Sequence, residues 1–149
     1  MFSKKELIAY CGLYCGDCAG YSGEIAEAAK KLKDTTQRYK FRQTAKNLFS
    51  KELKDYDTFC EMMDFMTQLK CPKTCRQIKP NEVKCEISKC CRDNGFFACH
   101  ECSTFERCDK LGKMAGLHGD SCIKNLRSIK KMGIEAWSRE GKRFWFADD

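Results

Sequence analysis

CGLYCGDC, residues 11–18, places three cysteines within eight positions. Thiols packed this densely either cross-link a chain or react, and that choice decides what fold the remaining residues must build. Cys15-Gly-Asp-Cys18 has the two-residue spacing that lets two sulfurs approach one ion at about 2.3 Å while the backbone turns between them. Gly16 gives that turn its freedom. The pattern recurs: Cys99-His-Glu-Cys102 repeats the spacing, and Cys71-Pro-Lys-Thr-Cys75 and Cys85-x4-Cys90 add two more close pairs. One such pair is weak evidence of a thiolate site; four of them in one chain are strong evidence.

The rest of the composition explains why cross-links are wanted. The chain has 149 residues, long enough for one domain with a core, so a single cysteine-rich helical domain over 1–149 is the simplest organisation. Yet Leu, Ile, Val and Phe together number only 27, a thin stock for burial. Thirteen cysteines are the natural supplement. Disulfides need an oxidising compartment. The opening MFSKKELIAY has no apolar signal core and no long apolar run suggests a membrane span, so a cytoplasmic protein with reduced thiols is expected. The odd cysteine count also leaves one thiol over in any full pairing.

Apolar spacing predicts a mostly α fold. Residues 22–53 read as helix, with Ser22 as cap and Ile25, Ala29, Leu32, Thr36 and Tyr39 on one face. The stripe then shifts to Phe41, Ala45, Leu48 and Phe49, which implies a kink or a second helix near Lys40. A further helix is expected over 57–70, capped by Asp55 or Asp57 and ended by Pro72, with Phe59, Met62, Met63, Met66 and Leu69 as core fillers. A short helix at 86–94 stops at Gly95, and a basic helix at 120–132 turns Ile123, Leu126 and Ile129 inward and stops at Gly133. LGKMAGLHGD, 111–120, reads as a flexible loop. The last segment starts helical and ends in Phe144, Trp145 and Phe146, which should pack back onto the domain.

The candidate metal ligands are Cys11, Cys15, Cys18, Cys71, Cys75, Cys85, Cys90, Cys99, Cys102 and Cys108, in clusters at 11–18, 71–75 and 85–108. Proximity along the chain groups Cys85, Cys90, Cys99 and Cys102 into one site, with Cys108 as substitute. It joins Cys15 and Cys18 to Cys71 and Cys75 in another, with Cys11 as alternate; one site that shares the ligands differently is left open. Cys91 reads as a bystander, and Cys60 and Cys122 as small buried hydrophobes. His100 and His118 are expected at the surface or behind the ligands. Zn2+ is the expected ion. Its competitor is a [4Fe-4S] cluster, since Cys11-x3-Cys15-x2-Cys18 has the spacing found in radical S-adenosylmethionine enzymes. The chain lacks the alternating strands and helices of such enzymes, and it has no ferredoxin run of four cysteines ending in proline.

With these motifs in place, the chain resembles the bacterial and archaeal family called domain of unknown function 3795. The likeness rests on YCGLYCGDCAGY at 10–21 and CEISKCCRDNGFFACHECSTFERCDKL at 85–111, with Cys71 and Cys75 between them; HGDSCIKNL and the aromatic, basic C-terminus resemble it too. The resemblance implies cysteine-rich, metal-binding proteins, brings no reaction with it, and falls on the ten candidate ligands.

Three classes of function then compete. Closed four-thiolate zinc sites are structural, because no coordination position is left for a water. An iron–sulfur or thiol-redox protein or enzyme would need an open metal position or an activated thiol; no Ser–His–Asp order, catalytic carboxylate pair or phosphate-cradling loop stands out. An adaptor would present the basic helix 120–132, with Lys124, Arg127, Lys130 and Lys131, to a nucleic-acid or protein partner. The formal charge of +7 is dispersed among acids rather than gathered in one block.

Overall fold

The computed structural model describes residues 3–146; Ala147–Asp149, the end of the C-terminal segment, and the first two residues of the opening lie outside the described residues. The chain forms two compact units: Cys18–Pro72, called unit 2 here, and Met1–Asp17 with Lys73–Asp149, called unit 1. The expected mostly α architecture holds. Nine α-helices joined by short 3-10 turns make up the described residues, and the only β pairing among them is an isolated bridge between Ile8 and Tyr14. No helix among the described residues is long and apolar enough to cross a membrane.

Unit 2 holds α1 (Ala19–Ser22), α2 (Glu24–Arg38), α3 (Phe41–Leu48) and α4 (Tyr56–Met66). The break foreseen near Lys40 is there: Lys40 adopts φ 49°, a left-handed conformation that a non-glycine residue takes only at a cost, and α3 starts just after it. The cap of α2 is Gly23 rather than Ser22, whose hydroxyl instead accepts the Glu24 N–H at 3.4 Å. Asp55 does occupy the cap position of α4, though its side chain makes no capping bond, and α4 ends at Met66, well before Pro72.

The buried side chains of unit 2 are mostly not the bulky ones that the apolar stripes predict. In α2 the covered residues are Ala26 and Ala29, in α3 Ala45, and in α4 Tyr56 and Met63. Phe59, Met62, Met66 and Leu69, expected as core fillers, are exposed, as are Ile25, Leu32, Tyr39, Leu48 and Phe49. The cause is steric. Alanines let helices approach closely, so the faces that carry them become the contact, while bulky residues at neighbouring angles are left at its margins. Four ion pairs trim the unit, among them Lys33–Asp64 at 2.9 Å and Arg42–Asp57 at 3.2 Å; exposed pairs of this kind add little stability.

Unit 1 holds α5 (Glu86–Asp93), α6 (Asp109–Gly112), α7 (Ala115–His118), α8 (Ser121–Met132) and α9 (Ile134–Glu140). The predicted stops hold. Gly95 and Gly133 sit at φ 68° and 83°, where a side chain is disfavoured. The stretch expected as a flexible loop at 111–120 instead contains the end of α6 and all of α7. Trp137, Ile8, Leu126 and Ile129 are essentially inaccessible to water, and Tyr14 meets Trp137 edge to face. Phe144 and Trp145 pack back as expected, while the Phe146 ring stays exposed, and the backbone of all three is fastened by α7 and the start of α8. Asn125 exchanges two hydrogen bonds with Phe144, donating to its carbonyl at 2.8 Å and accepting its N–H at 2.9 Å. Ser121 donates to the Phe146 carbonyl at 2.8 Å, and the buried His118 bonds the Trp145 carbonyl through Nδ1 at 2.6 Å. His118 thus has a structural post, away from any thiol role.

Candidate functional site

Seven of the ten thiols of unit 1 gather in or against its core, whereas Cys85, expected as a ligand, is exposed. Cys91, Cys99 and Cys122 are buried there with Tyr10, Leu13, Ile87, Phe105 and Leu126, and Cys11, Cys75, Cys102 and Cys108 pack against the same cluster. All thirteen cysteines are free thiols. Helix phase explains who arrives. On α5 the covered face runs Ile87, Ser88, Cys91, so Cys91 enters the core while Cys90 lies beside it, its sulfur 3.9 Å from the Asn94 amide. On α8 the covered face runs Cys122, Asn125, Leu126, Ile129, the i, i+3, i+4, i+7 pattern of a buried stripe.

Two sulfur pairs result. The Sγ atoms of Cys91 and Cys99 are 3.5 Å apart. Sharing a hydrogen bond, they titrate unequally: the bond from Cys99, with the charge of Arg76 nearby, pulls the Cys91 thiol below its usual value, while the same bond and burial push Cys99 far up. Cys11 and Cys122 form the second, looser pair: interaction with Cys122 and burial raise Cys11, and interaction with Cys11 lowers Cys122. In each pair one thiolate is stabilised by the proton of its partner. Gly12 makes the second pair possible. At φ 88°, it lies so close to α8 that a Cβ would sit 2.7 Å from Leu126 Cγ and 3.1 Å from the Cys122 carbonyl.

Around these pairs stand the remaining sulfurs of unit 1. Cys99 is tied to the N-terminal segment by its N–H on the Tyr10 carbonyl at 3.0 Å, and the Cys102 N–H closes the turn onto the Cys99 carbonyl at 3.0 Å. Cys11 and Cys108 are near enough for their charges to raise Cys99 further. Cys75 is pushed up by burial and feels both Cys11 and Cys85. Cys102, half-buried, is lowered by the hydroxyl and N–H of Thr104. Cys15 lies within electrostatic range of Arg76.

Arg76 and Arg92 organise this neighbourhood, Arg76 as the cationic chain neighbour of Cys75 and Arg92 from α5, where nothing in its local sequence marks it out. Arg76 Nε donates to the Ile8 carbonyl at 2.6 Å and Nη2 to the Phe97 carbonyl at 2.9 Å. Its guanidinium lies 3.8 Å from the centre of the Phe97 ring and 4.6 Å from that of Tyr10, and burial draws its basicity down. Arg92 Nη2 donates to the carbonyls of Cys75, Arg76 and Ile78 at 2.8–3.3 Å, fixing the loop that bears Cys75. Only its neighbours in space reveal that role; an arginine in a chain one-third charged carries no signal by itself.

In unit 2, Cys18 and Cys71 approach each other. The Cys71 N–H donates to the Gly20 carbonyl at 2.7 Å, and a Cβ on Gly20 would lie 3.4 Å from Cys18 Sγ and 3.5 Å from Cys71 Sγ. Cys60 departs from expectation: it is half-buried, and its sulfur is near enough to Arg42 and Tyr56 to raise the proton affinity of both rather than resting among apolar groups alone. The boundaries between the units fall inside two of the motifs, since Cys15 and Cys75 belong to unit 1 and Cys18 and Cys71 to unit 2.

Two sulfurs bound tetrahedrally at about 2.3 Å lie about 3.8 Å apart, close to the 3.5 Å of Cys91 and Cys99. Beside Cys99, Nδ1 of His100 is enclosed without a hydrogen-bond partner, and burial holds that ring toward its neutral form. Among the described residues no three or more His, Cys, Asp or Glu side chains are drawn together closely enough to hold a metal ion. The sulfurs stand as pairs with further sulfurs in reach of their charge.

The bases of α8 are largely engaged by the chain itself. Arg127 forms a two-pronged ion pair with Glu106 at 2.8 and 3.0 Å, Lys124 pairs with Asp120 at 3.0 Å, and Lys130 lies over the Phe105 ring.

No curated protein and no solved structure matches this chain. A family model does match, over residues 7–113, which takes in every cysteine motif and leaves HGDSCIKNL and the aromatic C-terminus beyond its end. The Cys91–Cys99 pair and the short-spaced cysteine motifs lie in that shared segment, with Cys122 beyond it, and the chain is a member of the family described as "Protein of unknown function (DUF3795)".

Proposed function

We propose that the chain is a metal-binding protein whose unit 1 is held together by thiolates around an ion, zinc by the nature of the donors, with a structural rather than catalytic task. The observation that carries this reading is the 3.5 Å approach of Cys91 and Cys99 inside a core that also receives Cys11, Cys75, Cys102, Cys108 and Cys122. Cys91 and Cys99 would hold the ion, with further ligands drawn from Cys11, Cys75 and Cys108, and His100 Nδ1 as the nitrogen alternative. When bound, the ion supplies a cross-link between segments distant along the chain. The chain's own part is to hold two sulfurs of each pair in contact, to lower the proton affinity of one of them, and to keep water away with Ile87, Phe105 and Leu126. Zinc modules gain roughly 10–16 kcal/mol from such binding, enough to offset a small apolar stock. The test is elemental analysis of protein purified without oxygen, read beside its visible spectrum. A colourless protein with bound zinc supports the reading, a brown one replaces zinc by an iron–sulfur cluster, and metal-free protein that remains folded contradicts it.

A second reading, thiol–disulfide exchange, is favoured by the same distance. Cys91 and Cys99 would give up two protons and two electrons to a small-molecule disulfide, forming one S–S bond as the oxidant is reduced to two thiols. Oxidised glutathione should then convert the metal-free pair and leave the metal-loaded pair untouched, with mass spectrometry reading the loss of two hydrogens.

A further inference from the structure

Unit 2 contains an open cavity of about 610 Å³ whose walls are apolar and aromatic: Leu32, Tyr39, Phe41, Leu53, Tyr56 and Phe59. The volume is that of a small-molecule pocket. The rings are arranged in sequence, with Phe41 and Tyr56 centred 5.6 Å apart and Tyr56 and Phe59 5.9 Å apart. Leu32, Tyr39 and Phe59 are open to solvent there, a cost that a bound carbon skeleton would relieve.

Charge selects among carbon skeletons. In a chain with 28 basic and 21 acidic residues, this cavity is lined by two carboxylates, Glu52 and Asp55, and by no basic side chain. Neither carboxylate takes part in an ion pair among the described residues, whereas Glu27, Asp57 and Asp64 of the same unit all do. The aromatic walls favour the same sign, because ring faces attract cations; the Arg38 guanidinium already lies 5.1 Å from the centre of the Tyr39 ring. An adjoining cavity of about 470 Å³ shares Thr36, Phe41 and Tyr56 but is lined by Lys33, Lys40 and Arg42, together with Asp64. Lys33 and Arg42 are paired there with Asp64 and Asp57, which leaves Lys40 to repel a ligand cation that Glu52 and Asp55 would draw to their own side.

We propose that the 610 Å³ cavity binds an amphipathic organic cation, an alkyl or aryl group ending in one ammonium. The site is independent of the sulfurs of unit 1. It is tested with three probes of equal length, n-octylammonium, n-octanol and n-octanoate, titrated into the full chain and followed by calorimetry and by the ring signals of Tyr39, Tyr56 and Phe59 in NMR. Octylammonium should bind at least tenfold more tightly than octanol, with octanoate weakest, and the three rings should shift together. In the double variant Glu52→Gln/Asp55→Asn, octylammonium affinity should fall to that of octanol while octanol is unchanged. Equal affinity for all three probes would reduce the cavity to an unselective apolar groove and overturn the proposal. Preference for octanoate, or binding that leaves the three rings unmoved, would overturn it as well. The wild-type comparison decides the matter even if the double variant fails to fold.

Discussion

Unit 1 hides most of its large side chains and unit 2 shows most of its own. In unit 1, Trp137, Ile8, Leu126 and Ile129 are sealed from water and seven cysteines are drawn into or against the core. In unit 2, the buried side chains are chiefly alanines with Tyr56 and Met63, while Phe65 is 64% and Leu48 73% exposed. One chain has thus met the shortage of aliphatic residues in two ways. Where sulfur is dense, small apolar thiols fill the core and offer a cross-link; where it is sparse, helices meet through small residues and leave apolar surface for something else to cover.

The contrast can be broken most forcefully at the sulfurs. Replacing Cys91 and Cys99 together by Ala should abolish stoichiometric metal binding and unfold unit 1. The loss, on the order of 10 kcal/mol, matches or exceeds the whole stability of a typical domain; circular dichroism and metal analysis check it. Preserved metal content in that variant would remove the pair from the centre. Next in size, Trp137→Ala should cost about 3–5 kcal/mol in urea unfolding, as truncation of a sealed aromatic does. Gly12→Ala comes third. A side chain at φ 88° pressed against Leu126 and Cys122 should cost roughly 1–3 kcal/mol, and it should also part Cys11 from Cys122, which thiol reactivity toward an alkylating reagent would register. Smallest is Phe65→Ser in unit 2. With the ring exposed, its change in stability should stay within about 0.5 kcal/mol, and a large loss would show that this surface is covered in solution.

The elements that could be read from the sequence are those whose punctuation is local. Gly95 and Gly133 end α5 and α8 because positive φ is needed there, and the inward stripe of α8 follows from Leu126 and Ile129 alone. The break at Lys40 announced itself as a shift of apolar phase. Faces were harder. Periodicity identifies a stripe but not which of its members are covered, so Ile25, Leu32, Tyr39 and Phe59 read as core beside Ala29 and Ala45, yet of these only the two alanines are buried, together with Ala26 from outside the stripe. The same limit applied to sulfur. Cys91 and Cys122 looked idle because they lie outside the short-spaced motifs; each is reached from its helix phase, one turn beyond Ile87 and one turn before Leu126. The pairing of Cys91 with Cys99 depends on where α5 sits against the 99–102 turn, and no spacing rule encodes that.

The most direct test of the account is amide hydrogen exchange, resolved by unit, before and after metal is removed by chelation under reducing conditions. If thiolates around an ion hold unit 1, amides of α5, α8 and the 99–102 turn should lose their protection together while those of α2 and α4 keep theirs. Unchanged protection throughout unit 1 in metal-free, reduced protein would contradict the central claim.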